Sequence, residues 1–67
     1  MEEAIDALSR AIAINPELAT AHNGLGVAYA KRGNMDWAVG EWRRALELRP
    51  DYPDARYNLE RLARARK

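Results

Sequence analysis

The chain has 67 residues, of which 48% are hydrophobic and 31% are charged, with 11 Lys and Arg against 10 Asp and Glu. A net charge of +1 with that apolar share indicates a small folded domain, excludes a disordered tail, and leaves no large positive excess for nucleic-acid binding. The absence of cysteine excludes disulfides, thiolate metal sites and a cysteine nucleophile. No apolar run is long enough to cross a bilayer and no basic-then-apolar leader is present, so no membrane contact is predicted and the cytoplasm is the expected compartment.

Four helices are predicted in chain order, over residues 2–14, 18–32, 35–48 and 53–66. Pro16 and Pro50 end the first and third helices, because proline cannot continue a helix and disfavours helical geometry in the residue before it. Gly33 ends the second, since glycine suits the left-handed position just past a helix. Pro53 begins the fourth, where its missing N–H costs nothing. No segment alternates with period two, so the chain is predicted to be all-α with short antiparallel connections.

The sequence repeats itself at an offset of 34 residues, which places residues 1–18 on residues 35–52. Identical pairs in this alignment are Met1 and Met35, Ala4 and Ala38, Arg10 and Arg44, Ala11 and Ala45, and Pro16 and Pro50. The second half of the period keeps Ala21 with Ala55 and Leu25 with Leu59. The repeat is therefore clear in one type of helix and weak in the other.

The same period carries a pattern that resembles the tetratricopeptide repeat family. Its residues are Leu25, Gly26, Tyr29, Gly33, Ala38, Trp42, Ala45 and Pro50. The small residues of this set allow two helix backbones to approach closely, and the large ones fill the space around that contact. The resemblance implies antiparallel helix-turn-helix repeats, here a four-helix fragment of a right-handed α-solenoid forming one domain over residues 1–67.

The phase of the repeat divides this domain. Residues 1–16 resemble the second helix of a partial repeat, residues 19–52 a complete repeat, and residues 53–67 a first helix that departs from the pattern, with Glu60 in the place of Gly26. The last helix is mostly charged outside its apolar stripe, which predicts a C-terminal cap and an authentic C-terminus. The first helix is apolar over a wide arc, which predicts that a preceding helix is missing.

The resemblance also implies a binding site, because the first helix of each repeat in this family lines a concave groove that holds an extended peptide. Carried over, the groove residues are Asn23, Val27, Ala30, Lys31, Tyr57, Arg61 and Arg64. Such a wall is basic with one aromatic ring, so the expected partner is a protein or peptide of acidic character; the alternative is a merely solvated charged face. The family's clamp for a C-terminal carboxylate is not expected, since Asp54 and Asn58 stand where Lys and Arg are needed.

Other functions find little support in the residues. A Ser9–His22 nucleophile pair with Asp6 is conceivable, but His22 is more readily interpreted as a packing residue in place of an aromatic, and no enzyme activity is predicted. Gly24 and Gly26 lie inside a helix, and one histidine without cysteine cannot form the usual zinc site, so no cofactor or metal is predicted. Single-stranded RNA is the alternative ligand, because residues 53–67 carry a net charge of +3 beside Tyr57.

The two tryptophans are expected to play different parts. Trp42 lies on the apolar row of its helix and is interpreted as a packing residue. Trp37 stands where Glu3 stands in the first half, which predicts an exposed or edge position. An exposed tryptophan is either an anchor for a partner or is partly covered at the edge of a neighbouring repeat, and both interpretations remain open.

Self-association is predicted through one face of the first helix, formed by Ala4, Leu8, Ala11 and Ile14, which lacks the helix that would cover it. One mode is a closed dimer that pairs this helix with its copy. The other is head-to-tail stacking, in which residues 53–67 of one chain cover residues 1–16 of the next. Length and charge favour stacking, whereas Glu60 opposes it by entering the close contact, so the closed dimer ranks slightly ahead.

Overall fold

The computed structural model describes the backbone of residues 2–65 and the side chains of residues 3–65. Within these residues the chain forms four α-helices and no strand: α1 (Glu2–Ile14), α2 (Ala19–Arg32), α3 (Met35–Leu48) and α4 (Pro53–Ala65). The predicted all-α architecture is confirmed, and the helix ends lie within one residue of the predicted positions wherever they can be compared. Position 66, the predicted end of the last helix, lies outside the described residues, as do Arg66 and Lys67 of the predicted cap.

The turn between α2 and α3 depends on Gly33, whose φ of +91° lies in the left-handed region that favours glycine. Its N–H donates to the carbonyl oxygen of Ala30 at 3.0 Å, and the N–H of Asn34 donates to that of Tyr29 at 2.8 Å. These two bonds satisfy carbonyl groups that the end of a helix leaves without partners. The chain therefore reverses over two residues, and α3 begins at once.

Helix α2 is central to the fold, since it packs against both α1 and α3 and also touches α4, which lies mainly on α3. A first apolar cluster joins α1 to α2 and consists of Ile5, Leu25 and Ala28, with Leu8, Ile12 and Tyr29 around them. A second joins α2, α3 and α4 and consists of Ala19, Ala45, Tyr52 and Ala55, with Leu46 and Leu48 at its border. The α1 contact and the α4 contact thus use different faces of the central helix.

The most deeply buried side chains are small. Ala38, Ala45 and Ala55 have no exposed surface, whereas no large side chain in the described part of the chain is more than 98% buried. Gly26 is also buried, and a Cβ at that position would lie 2.6 Å from Trp42 Cδ1. Small residues bring the helices close together, but they bury little apolar area, so a chain of this size has only a modest core.

Candidate functional site

A groove of about 360 Å³ opens between α2 and α4. Its lining residues are Val27, Ala30 and Lys31 of α2, Met35 and Trp42 of α3, and Asn58, Arg61, Leu62 and Ala65 of α4. Six of these nine residues are apolar, among them Val27, Leu62 and Trp42. Lys31 and Arg61 are exposed, and no carboxylate is found among the described residues of the lining. The groove therefore offers an apolar surface flanked by two cations, a combination that suits an extended ligand with negative charge.

Asn23 of α2 forms hydrogen bonds with both of the other helices that line the groove, α3 and α4. Its carbonyl oxygen accepts a hydrogen bond of 3.2 Å from the indole N–H of Trp42. Its side-chain oxygen accepts one of 3.1 Å from Asn58 Nδ2. Because Trp42 belongs to α3 and Asn58 to α4, one residue of α2 ties both neighbouring helices to the central one. The separation of α2 and α4 is thereby fixed by polar contacts as well as by packing.

The predicted groove residues are brought together only in part. Four of them line the groove, namely Val27, Ala30, Lys31 and Arg61. Asn23 takes part through its bond to Asn58. Tyr57 and Arg64 are exposed on α4 but do not belong to the lining.

On α4, the predicted row of residues meets the groove lining only at Arg61. The sequence interpretation followed the row of Tyr57, Arg61 and Arg64, whereas the structure places the adjacent row, formed by Asn58, Leu62 and Ala65, along the lining. Ala55, on the same side of α4, is fully buried against the α2–α3 cluster and sets the rotation of the helix. One feature of the sequence could have indicated the lining row: the polar residue Asn58 lies within the apolar stripe of α4.

The outer face of α1 carries the residues that were predicted to self-associate. Ala4 and Ile14 are exposed, with 86% of Ile14 accessible, whereas Leu8 and Ala11 are half-buried. Leu8 belongs to the border of the α1–α2 cluster and approaches Gly24, where a Cβ would lie 3.3 Å from its Cδ1. Leu8 thus packs within its own chain, whereas Ala4 and Ile14 are exposed. A second groove of about 290 Å³ runs beside this face and is lined by Ala4, Gly24, Val27, Ala28 and Lys31.

His22 is buried and joins three parts of the chain. Its Nδ1 lies 2.7 Å from Glu41 Oε1 on α3, and its Nε2 lies 3.0 Å from the carbonyl oxygen of Pro16 in the first turn. Both ring nitrogens are therefore occupied by structural partners, and neither is directed to Ser9, which is exposed on α1. Beyond packing in place of an aromatic ring, the histidine adds two polar contacts that the sequence did not reveal. The described residues contain no group of three or more His, Asp or Glu side chains that could hold a metal ion.

Trp37 and Trp42 differ as the sequence suggested. Trp42 is 4% exposed, whereas Trp37 is 64% exposed near the start of α3. The ring of Trp37 meets that of Tyr29 edge to face, with centroids 5.2 Å apart and an interplanar angle of 72°. The exposed tryptophan is thus held from one side by the preceding helix of its own hairpin, and its other side faces solvent.

Comparison with known proteins agrees with this architecture. A family model described as "TPR repeat" matches residues 1–33 and 28–59. Among curated proteins, the chain is similar to the peroxisomal targeting signal receptors of Saccharomyces cerevisiae, with 34% identity, and of Candida albicans, with 36%. Each alignment spans 58 residues, which is 87% of this chain and 10% of the receptor, so the chain covers about a tenth of these relatives. Of the helices in the described residues, none has the length and apolarity needed to cross a membrane.

Proposed function

The chain belongs to the tetratricopeptide (TPR) repeat family, a family of protein–protein interaction modules, and on that basis we propose that it binds an acidic peptide segment in the groove between α2 and α4. The observation that carries this proposal is the pair of cations, Lys31 and Arg61, beside apolar lining residues, with no carboxylate in the lining as far as residues 3–65 define it. No catalytic step is required, and His22 serves packing and hydrogen bonding.

Two physical features favour an extended peptide over a compact ligand. The groove is open to solvent between two helices, so a segment of a chain can lie in it without being enclosed. Asp and Glu side chains of a peptide can form charge-assisted hydrogen bonds with Lys31 and Arg61, and apolar side chains can cover Val27 and Leu62. The similar receptors are named for a targeting signal, and this name supports a peptide as the class of ligand.

Charge-reversal variants test this proposal. A fluorescent acidic peptide should bind the wild-type chain, and Lys31→Glu or Arg61→Glu should each weaken binding about tenfold or more, because an attraction becomes a repulsion. Arg43→Glu is the matched control, since Arg43 is exposed on α3 and does not line the groove. Equal loss of affinity in all three variants would mean that the peptide responds to net charge alone, and would reject the groove.

Single-stranded RNA is a second candidate ligand, favoured by the exposure of Tyr57 beside two arginines of the same helix, Arg61 and Arg64. A stacking ring between cations is the usual means of binding unpaired bases. Titration with an oligouridylate at rising salt tests it. RNA binding should weaken steeply with salt and be lost in Tyr57→Ala. Tyr57→Ala should leave binding of the acidic peptide unchanged, because Tyr57 lies outside the groove lining.

We also propose that the chain associates with itself through the outer face of α1. The support is the accessibility of Ile14, which is 86% exposed, together with the apolar character of its neighbours Ala4 and Ala11. An apolar face of this kind on a small domain marks an interface more often than a free surface.

A further inference from the structure

We propose that two copies of this chain pair through the outer faces of their α1 helices, antiparallel to each other and about a two-fold axis that passes near Ala7. This inference rests on the proposed self-association and adds to it the partner, the orientation and the register. It uses residues of α1, none of which is among the described residues that line the peptide groove.

The pairing face is a stripe along α1. At 100° per residue, Ala4, Ala7, Ala11 and Ile14 fall within about one quarter of the helix circumference. The adjacent stripe, which carries Ile5 and Ile12, is turned towards α2. Ala4, Ala7 and Ile14 are exposed and Ala11 is half-buried. Three alanines and one isoleucine allow a second helix to approach closely along nearly three turns, because no long side chain stands between the two axes.

Two charges at the border of the stripe select the orientation. Glu3 and Arg10 are exposed on the same side of α1 and are seven residues apart. A rise of 1.5 Å per residue separates them by about 10 Å along the axis, which is too far for an ion pair within the helix. In an antiparallel pair centred near Ala7, Glu3 of each copy faces Arg10 of the other. A parallel two-fold pair would instead place this border of the two copies on opposite sides of the contact, where Glu3 and Arg10 could not meet.

Ile14 is the largest apolar side chain of the stripe, and 86% of it is exposed in the single chain. The antiparallel pair covers it at the N-terminal end of the α1 helix of the other copy, so two copies of Ile14 are removed from water. Removing this apolar surface from water is the main stabilising contribution to the pair.

The head-to-tail alternative would place α4 of another chain on this face. The outer side of α4 carries the exposed residues Arg56, Glu60 and Arg64. Arg56 already donates to the carbonyl oxygen of Pro50 at 3.1 Å. Covering the stripe with such side chains desolvates charges against Ala4, Ala7 and Ala11, which offer them no partners, and this is costly even though the net charges of the two helices are opposite. The closed pair of α1 helices buries apolar surface on both sides and leaves its charges at the rim.

Sedimentation equilibrium over a range of chain concentrations tests the face. The wild-type chain should form dimers that reach saturation and grow no further, and its melting temperature should rise with concentration. Ile14→Glu should weaken dimerisation at least tenfold. Ala13→Glu is the matched control, because Ala13 is exposed on the same helix but points away from the stripe, and its dimer should persist.

Charge exchange tests the orientation. Glu3→Arg alone and Arg10→Glu alone should each raise the dissociation constant about tenfold at low salt, because both rim pairs become repulsive. An equimolar mixture of the two single variants should recover association, since all the cationic rim residues then face anionic ones. The double variant should recover it as well. Circular dichroism at each step shows whether the variants remain helical.

The outcomes separate the pairing mode from the association itself. A wild-type chain that stays monomeric at millimolar concentration would overturn both the pairing and the proposed self-association. Association that grows beyond dimers, or that is unaffected by Ile14→Glu, would overturn the pairing of α1 helices and leave self-association standing. Folded single charge variants that do not recover in the mixture would overturn the antiparallel register.

Discussion

The indole ring of Trp42 lies against the backbone of Gly26, and its N–H donates to the carbonyl oxygen of Asn23 on the same helix. The ring thus packs on α2 at a point where no side chain stands in the way, and it makes its one polar bond there. Gly26 and Trp42 both belong to the repeat signature. The pattern of small and large residues in the sequence therefore corresponds to a contact between α2 and α3.

Gly26→Ala should destabilise the chain by about 1–3 kcal/mol, since the added Cβ would overlap the indole ring and force it to move. Gly40→Ala is the matched control: it lies in α3, its Cβ would meet no atom of another described helix within 4 Å, and alanine should stabilise the helix by about 0.5–1 kcal/mol. Urea unfolding monitored by circular dichroism measures both. An equal change in the free energy of unfolding for the two variants would contradict the close contact between Gly26 and Trp42.

The two tryptophans should differ strongly on removal. Trp42→Ala loses a nearly buried ring and should cost about 3–5 kcal/mol, which is comparable with the whole stability of a domain of this size. Trp37→Ala loses only its edge contact with Tyr29 and should cost about 0.5–1.5 kcal/mol. Thermal unfolding should remain cooperative in the second variant and be absent in the first. A cooperative transition in Trp42→Ala near the wild-type temperature would contradict this assignment.

His22 and Glu41 should behave as a coupled pair, because a hydrogen bond of 2.7 Å joins them across α2 and α3. His22→Ala should cost about 1–3 kcal/mol, and Glu41→Ala somewhat less, because the Glu41 side chain keeps more contact with water. The double variant should cost about 1 kcal/mol less than the sum of the two single changes. If the two single changes in the free energy of unfolding add up to that of the double variant within about 0.3 kcal/mol, the contact contributes nothing to stability.

Asn58→Ala should loosen α4 more than the rest of the fold. It removes the bond from Asn58 Nδ2 to the Asn23 side chain, which is one of the ties between α4 and α2. Amide hydrogen exchange should accelerate several-fold over residues 56–65 and change little in α2 and α3. Asn34→Ala serves as the control, since the Asn34 side chain makes no cap hydrogen bond. Uniform acceleration along the chain would indicate a global loss of stability.

The helices were predictable because their ends are marked locally. Pro16, Gly33 and Pro53 act on the backbone within one or two residues, so their effect does not depend on the rest of the fold. The contact between Gly26 and Trp42 was predictable through the resemblance to a family, since a glycine inside a helix indicates a close neighbour but does not identify it.

The α4 side of the groove was not predictable to the residue. Which row of α4 faces α2 depends on the rotation of that helix, and the burial of Ala55 against Ala19 and Ala45 sets this rotation. A row of residues displaced by one position points about 100° away from the groove. The sequence interpretation therefore assigned Tyr57 to the groove, whereas the structure places Asn58 there. The bond between His22 and Glu41 joins residues 19 apart and has no local signal.

The most direct test of the central claim is a chemical-shift titration of the labelled chain with an acidic peptide. Binding in the groove predicts that the amide shifts change at its lining residues, Val27, Ala30, Lys31, Asn58, Arg61 and Leu62, and saturate with one peptide per chain. The side chains of Arg43 and Arg44 are exposed on α3 and do not line the groove, so their amides should change little. Changes confined to the surface around Arg43 and Arg44 would contradict the account.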